Sequence, residues 1–169
     1  MILETDRLHL RPFIPTDFND TFEIYQDSNT CKYLLHEPWN TSNAQEHFEK
    51  RLEKQDLTTH DAVHIAVVFH EKVIGDISIW YTGMRETVEI GYVFHAGFRG
   101  LGFATEATNA VIKHLFSAYP IHRIQAVLDA RNIESARLCE RIGMRKEAHF
   151  IQDYWNKGEW TDTLVYACL

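Results

Sequence analysis

Two glycines separate a predicted strand from the most regular predicted helix of the chain. Residues 88–94 are rich in β-branched and aromatic side chains, and residues 103–116 carry apolar side chains on one helical face. Gly100 and Gly102 lie between them. Small residues let backbone N–H groups close around an anion, and a helix N-terminus adds about half a positive charge. The order of strand, glycine loop and helix predicts a phosphate site; the alternative is a tight strand-to-helix turn that binds nothing.

The segments around this loop alternate in the manner of an α+β protein. Predicted strands cover residues 8–11, 62–69, 73–81, 88–94, 124–128, 147–155 and 160–167, with a turn at Glu71-Lys72. Predicted helices cover residues 16–25, 41–55, 103–116 and 133–142. The sequence therefore predicts a single α+β domain over residues 1–169. Its central twisted sheet is mostly antiparallel, with about seven strands flanked by about four helices.

Composition narrows the classes of function. Lys and Arg number 17 and Asp and Glu number 24, so the net charge is −7, which disfavours nucleic acid as a partner and mildly favours an amine substrate. Cys31, Cys139 and Cys168 fit no zinc motif and indicate reduced thiols in a cytoplasmic protein. The ten histidines form no metal-binding motif. We expect no metal site, no signal peptide and no membrane segment.

The segment at residues 89–106, EIGYVFHAGFRGLGFATE, resembles the acetyl-CoA-binding motif of the GNAT N-acetyltransferases. The family pattern is Gln/Arg-x-x-Gly-x-Gly/Ala, and Arg99, Gly102 and Ala104 satisfy it. The resemblance implies a GNAT-like fold, a sheet that is splayed where the cofactor binds, and acetyl-CoA as the cosubstrate.

Other segments extend the resemblance over nearly the whole chain. Residues 132–135 and 141–144 resemble the next helix of the family and its end. Residues 3–11 and 158–162 resemble the branch that contains the Rim-type ribosomal-protein N-terminal acetyltransferases. This branch implies a primary amine as acceptor, with a protein N-terminus favoured over a small amine, a polyamine or an amine-bearing antibiotic. It also makes a homodimer an expectation. A non-catalytic CoA-binding regulatory module is the alternative of another class.

The resemblance also assigns the cofactor contacts. The pyrophosphate would bind the amides of the glycine loop, and the pantetheine arm would pair with the free edge of a bulged strand. Ala96-Gly97 replaces the Pro-Glu that is common in this branch, which predicts a looser loop. Asn132 would both cap a helix and touch the pantetheine. The predicted cofactor-binding residues are Val93, Phe94, Arg99, Gly100, Leu101, Gly102, Phe103, Ala104, Thr105 and Asn132.

Acetyl transfer to an amine needs a group that accepts the amine proton and a donor for the departing thiolate. Glu89 is the predicted base, acting directly or through water; the alternative is a solvated strand glutamate or one paired with an arginine. Ser135 is the predicted hydrogen-bond donor to the sulfur; the alternative is that its hydroxyl is hydrogen-bonded to the backbone. Many family members carry a tyrosine at the position of Cys139, so this chain lacks that acid.

Overall fold

The computed structural model describes all residues from Met1 to Leu169. One eight-stranded sheet runs through it in the order β1-β2-β3-β4-β5-β6-β8-β7. The predicted α+β class and the mostly antiparallel sheet are confirmed. The strands are β1 (Leu3–Glu4), β2 (His9–Pro12), β3 (Val63–Phe69), β4 (Lys72–Tyr81), β5 (Thr87–Phe94), β6 (Arg123–Asp129), β7 (Arg145–Asn156) and β8 (Glu159–Cys168). The helices are α1 (Phe18–Tyr25), α2 (Ser28–Cys31), α3 (Ala44–Glu53), α4 (Phe103–Ala118) and α5 (Ile133–Arg141), and 3-10 turns cover Pro15–Asp17 and Ala96–Phe98.

The one parallel strand pair opens the sheet. β5 and β6 are paired only from Thr87↔Arg123 to Glu89↔Gln125, and beyond that point no pairing joins them. β5 keeps its other neighbour, because its register with β4 is regular up to Gly75↔Phe94. The prediction of a bulge in β5 is therefore wrong. The gap arises because the parallel strands β5 and β6 diverge.

Apolar cores on both faces hold the helices against the sheet. On one face, Val111 and Leu115 of α4 and Cys139 of α5 belong to a cluster of 25 buried residues. On the other face, Ile24 of α1 and Phe48 of α3 belong to a cluster of 10 buried residues. Burial of this apolar surface is the main stabilising force for such layers.

A buried carboxylate ties α1 and α3 to β4. Asp76 accepts hydrogen bonds from the Tyr25 hydroxyl at 2.7 Å and Arg51 Nε at 2.7 Å, and its other oxygen lies 3.0 Å from His64 Nδ1. Burial alone would raise the pKa of Asp76, but the neighbouring His64 and Arg51 hold it well below its usual range. The ionised carboxylate thus satisfies three donors at once.

The hairpin turns depend on left-handed backbone. His70 and Glu71 have φ of 45° and 66°, and Lys157 and Gly158 have φ of 50° and 79°, as type I′ turns require. The first turn lies one residue earlier than the predicted Glu71-Lys72 pair, because β4 already begins at Lys72.

Three further features depart from the sequence expectations. The pair Leu3–Glu4 forms an eighth strand, and Ser28–Cys31 forms a fifth, very short helix. β7 carries extra residues between Phe150 and Tyr154, where its register with β8 shifts.

No helix of the structure combines the length and apolarity needed to span a bilayer.

Candidate active site

A cavity of about 770 Å³ lies where the sheet opens. It is bounded by the C-terminal half of β5, the glycine loop, the first turn of α4, and α5. Most of the predicted cofactor residues lie around it, which brings segments distant in the sequence to one place. The lining residues are Thr30, Leu34, Tyr92, Val93, Phe94, Phe98, Arg99, Gly100, Gly102, Phe103, Ala104, Thr105, Glu106, Asn132, Glu134, Ser135, Arg137, Leu138 and Arg141.

The glycine loop presents unpaired amides to this cavity. Gly100 and Gly102 have φ of 76° and 82°, a left-handed conformation that glycine adopts without strain. The first bond of α4 runs from the Glu106 N–H to the Gly102 carbonyl at 3.0 Å. The N–H groups of residues 100–105 donate to no protein atom, and no side chain caps the helix. Such a run of free N–H groups at a helix N-terminus suits an anion.

The N-terminal segment holds this loop in place. Arg7 donates from Nε to Glu106 Oε2 at 2.7 Å and from Nη1 to the Leu101 carbonyl at 2.8 Å. The Thr5 hydroxyl donates to Glu106 Oε1 at 2.6 Å. Burial would raise the pKa of Glu106, but these hydrogen bonds lower it below its ordinary value. Leu101 is exposed and does not line the cavity, so it is the one predicted cofactor-binding residue that the structure leaves outside it.

Three arginines line the cavity of this otherwise acidic chain. Arg99 donates to Thr30 Oγ1 at 3.3 Å, and Arg141 donates to Thr105 Oγ1 at 3.3 Å. Sequence reasoning identified Arg99 but missed Arg137 and Arg141. Their spacing of four residues, which places them on one face of α5, was the available signal. These cations complement a polyanion that extends beyond the glycine loop.

The unpaired edge of β5 offers peptide-like hydrogen bonds. The His95 N–H donates to the Ile74 carbonyl, and the Thr87 carbonyl accepts from the Thr82 N–H, so odd-numbered backbone groups face β4. Alternation then turns the N–H and C=O groups of Ile90, Tyr92 and Phe94 toward the gap. An amide-containing chain can pair there as an additional strand.

A group of hydroxyls and a thiol lies at the inner end of the cavity. The Tyr92 hydroxyl is 2.9 Å from Ser135 Oγ and 3.1 Å from Cys139 Sγ. Asn132 caps α5, because its Oδ1 accepts from the Ser135 N–H at 3.1 Å. Burial raises the pKa of the Cys139 thiol, so it stays protonated. Sequence reasoning missed Tyr92, which it treated only as part of a strand.

Glu89 lies at the apex of the gap, in the last residue pair that joins β5 and β6. It does not line the cavity. Its Oε2 accepts a hydrogen bond from Gln125 Nε2 at 2.9 Å. Burial raises the pKa of Glu89, and the Gln125 hydrogen bond opposes this rise only in part. A carboxylate of raised pKa is chemically suited to accept a proton near neutral pH.

Residues 30–34 cover the outer side of the cavity. Lys157 Nζ donates to the Cys31 carbonyl at 2.7 Å, and Asn156 donates to the Leu34 carbonyl at 3.3 Å. The aromatic rings of Tyr154 and Trp155, near the end of β7, do not line the cavity; the two residues are 44% and 58% exposed. The tip of the β7–β8 hairpin, rather than these rings, therefore approaches the site.

No group of three or more His, Cys, Asp or Glu side chains is placed to hold a metal ion.

Comparisons with known proteins agree with this geometry. A family model described as an acetyltransferase (GNAT) domain matches residues 7–145. An uncharacterised N-acetyltransferase of Bacillus subtilis, YnaD, is 32% identical over 100% of this chain and 97% of its own length. The chain therefore belongs to the GNAT acetyltransferase family, and it is an acetyltransferase.

Two relatives with named acceptors are more distant. A spermidine N(1)-acetyltransferase of Vibrio cholerae is 22% identical over 92% of this chain and 89% of its own length. The solved structure of RimL, a ribosomal-protein alpha-N-acetyltransferase in complex with coenzyme A, is 17% identical with a TM-score of 0.86, covering 100% of this chain and 98% of that one. At this identity the RimL structure shows the shared fold alone.

Proposed function

We propose that this protein transfers the acetyl group of acetyl-CoA to the amino terminus of a protein. The observation that carries the cofactor assignment is the run of amides at residues 100–105, which donate to no protein atom and, apart from that of Leu101, belong to residues that line the cavity. Their N–H groups would bind the pyrophosphate, with Arg137 and Arg141 beside it. The pantetheine amides would pair with the free edge of β5, which brings the thioester to Tyr92 and Ser135.

The transfer would proceed directly from cofactor to amine. Glu89 would accept the amine proton through water, because it lies at the apex of the gap but outside the cavity. An edge N–H of β5 near Phe94 would polarise the thioester carbonyl, and the Ser135 hydroxyl would donate to the departing sulfur. No nucleophile in the cavity is paired with a base and an orienting third group, which favours a ternary complex over a covalent enzyme intermediate.

A peptide acceptor fits the charges around the outer side of the cavity better than a polyamine does. A polyamine needs several free carboxylates, whereas Asp129 and Glu159 are both paired with Arg131, at 2.7 and 2.9 Å. Arg131 also lies over the Tyr33 ring at 5.4 Å, so this ion network adjoins the cover formed by residues 30–34. A peptide needs only one amine at the thioester and backbone pairing behind it.

An acceptor panel tests this proposal. Wild-type protein is mixed with acetyl-CoA and with equal concentrations of short peptides, spermidine or amine-bearing antibiotics, and free thiol release is followed. Mass spectrometry then locates the acetyl group. Saturable transfer to peptide α-amines supports the proposal, and saturable transfer to polyamines with none to peptides contradicts it. Binding of acetyl-CoA with no thiol release for any amine would identify a CoA-binding module instead.

The expected homodimer is a separate proposal. β7 forms the edge of the sheet, and Phe150, Ile151, Tyr154 and Trp155 on it are 44% to 68% exposed. An unpaired edge with exposed apolar side chains favours pairing with a second chain. Sedimentation at twice the chain mass of 19.8 kDa would support the dimer, and a single-chain mass at all concentrations would contradict it.

A further inference from the structure

Tyr92 connects β5 to α5 across the gap in the sheet. Its hydroxyl lies 2.9 Å from Ser135 Oγ and 3.3 Å from the Ser135 carbonyl. Tyr92 and Ser135 both line the cavity, Tyr92 from β5 and Ser135 from α5. The phenol and the serine hydroxyl thus form a short chain at the inner end of the site.

The small side chain of Cys139 makes this arrangement possible. Cys139 Sγ lies 3.1 Å from the Tyr92 hydroxyl and is fully buried, so a larger side chain at this position would displace the phenol. Burial raises the pKa of Tyr92 well above its ordinary value, and the neighbouring Cys139 adds to the rise. The phenol therefore keeps its proton and remains a hydrogen-bond donor.

We propose that Tyr92 is a positioning residue that acts through Ser135 on the departing sulfur of coenzyme A. Tyr92 donates to Ser135 Oγ, which directs the Ser135 hydrogen at the sulfur. When the amine nitrogen forms its bond to the acetyl carbon, the C–S bond breaks and its electron pair stays on sulfur. The thiolate accepts the Ser135 hydrogen bond and takes its proton from water on release. This inference rests on the proposed acetyl transfer at this cavity.

The most direct test does not need an acceptor. Coenzyme A is bound to the protein, and the thiolate absorbance of its thiol is titrated in wild type, Tyr92→Phe and Ser135→Ala. We expect the bound thiol to titrate about one pH unit higher in each variant than in wild type, since the charge-assisted hydrogen bond from Ser135 to the thiolate is removed in Ser135→Ala and no longer directed at the sulfur in Tyr92→Phe. The charged groups that line the cavity, Arg99, Glu106, Glu134, Arg137 and Arg141, are the same in all three proteins.

Tyr166→Phe is the matched control. The Tyr166 hydroxyl also donates to α5, at Glu140 Oε1 over 3.1 Å, but Tyr166 does not line the cavity. This variant should titrate as wild type does. Identical titration of wild type and Tyr92→Phe would overturn the inference and leave the acetyl transfer standing. Failure of wild type to bind coenzyme A would overturn both.

A kinetic cycle supplies the second readout. With an active amine, Tyr92→Phe should lower kcat roughly tenfold while the acetyl-CoA KM changes less than about twofold. Tyr92→Phe should cost nothing further when Ser135 is already alanine, because residues that act as one chain are not additive. Independent, multiplying effects of the two substitutions, or a loss confined to KM, would contradict a role through Ser135.

Discussion

Replacing Gly102 with alanine should separate backbone strain from cofactor binding. Gly102 has φ of 82°, where a Cβ costs about 1–2 kcal/mol. For a chain of 169 residues this corresponds to a melting temperature lower by roughly 2–8 °C. The added Cβ would also lie 3.3 Å from Arg7 Nη2, and the same guanidinium holds the Leu101 carbonyl.

The effect on acetyl-CoA should exceed the effect on stability. Displacement of this loop would weaken at least one charge-assisted bond from an amide to the pyrophosphate, worth about 1.5–3 kcal/mol, or roughly 10-fold to 150-fold in Kd. Calorimetric titration with acetyl-CoA measures the change. Gly158→Ala is the control, because its φ of 79° carries the same strain at the tip of the β7–β8 hairpin, with no atom near the new Cβ.

The melting temperature of Gly158→Ala should therefore fall by a similar amount, and its acetyl-CoA Kd should stay within about twofold of the wild-type value. Equal affinities of Gly102→Ala and wild type would refute the assignment of the phosphates to this loop. A loss of affinity in both variants would show that general destabilisation, and not the loop, is responsible.

Three further outcomes follow from the contacts. Arg7→Met removes the one side-chain donor to the Leu101 carbonyl, so the acetyl-CoA KM should rise about tenfold with kcat at saturation unchanged; a lower kcat alone would contradict this. Gln125→Leu removes a hydrogen bond that favours the ionised form of Glu89, so the pKa of Glu89 should rise. The acidic limb of the kcat/KM profile should then move to higher pH by roughly half to one unit, and an unmoved limb would exclude Glu89 as the base. Asp76→Asn leaves a buried guanidinium without its partner and should cost about 3–5 kcal/mol in urea unfolding. Because the folded pKa of Asp76 is lowered, its stabilisation is complete above about pH 4 and should be lost as the pH falls below that value; constant stability down to pH 2 would contradict it.

Local patterns were sufficient for the elements around the site. Alternation and turn residues placed β3, β4 and β5 within one or two residues of their observed bounds, and the apolar face of residues 103–116 gave α4 nearly in full. Leu3–Glu4 was missed because two residues cannot show alternation. The extra residues of β7 were missed because their register depends on β8.

The site was predictable only where its residues are close in sequence. The glycine loop is one continuous segment, so its unpaired amides could be anticipated. The role of Tyr92 could not be predicted in this way, because its partners on α5 are 43 and 47 residues away and meet it only where the sheet opens. The same holds for Arg7, which reaches the loop from 94 residues away. Contacts of this kind depend on the assembled sheet rather than on any local pattern.

A crystal structure of the wild-type protein with coenzyme A would test the central claim most directly. The proposed function predicts the pyrophosphate on the N–H groups of residues 100–105, the pantetheine arm along the free edge of β5, and the sulfur within hydrogen-bond reach of Ser135. Coenzyme A bound at another place, with the glycine loop empty, would contradict it.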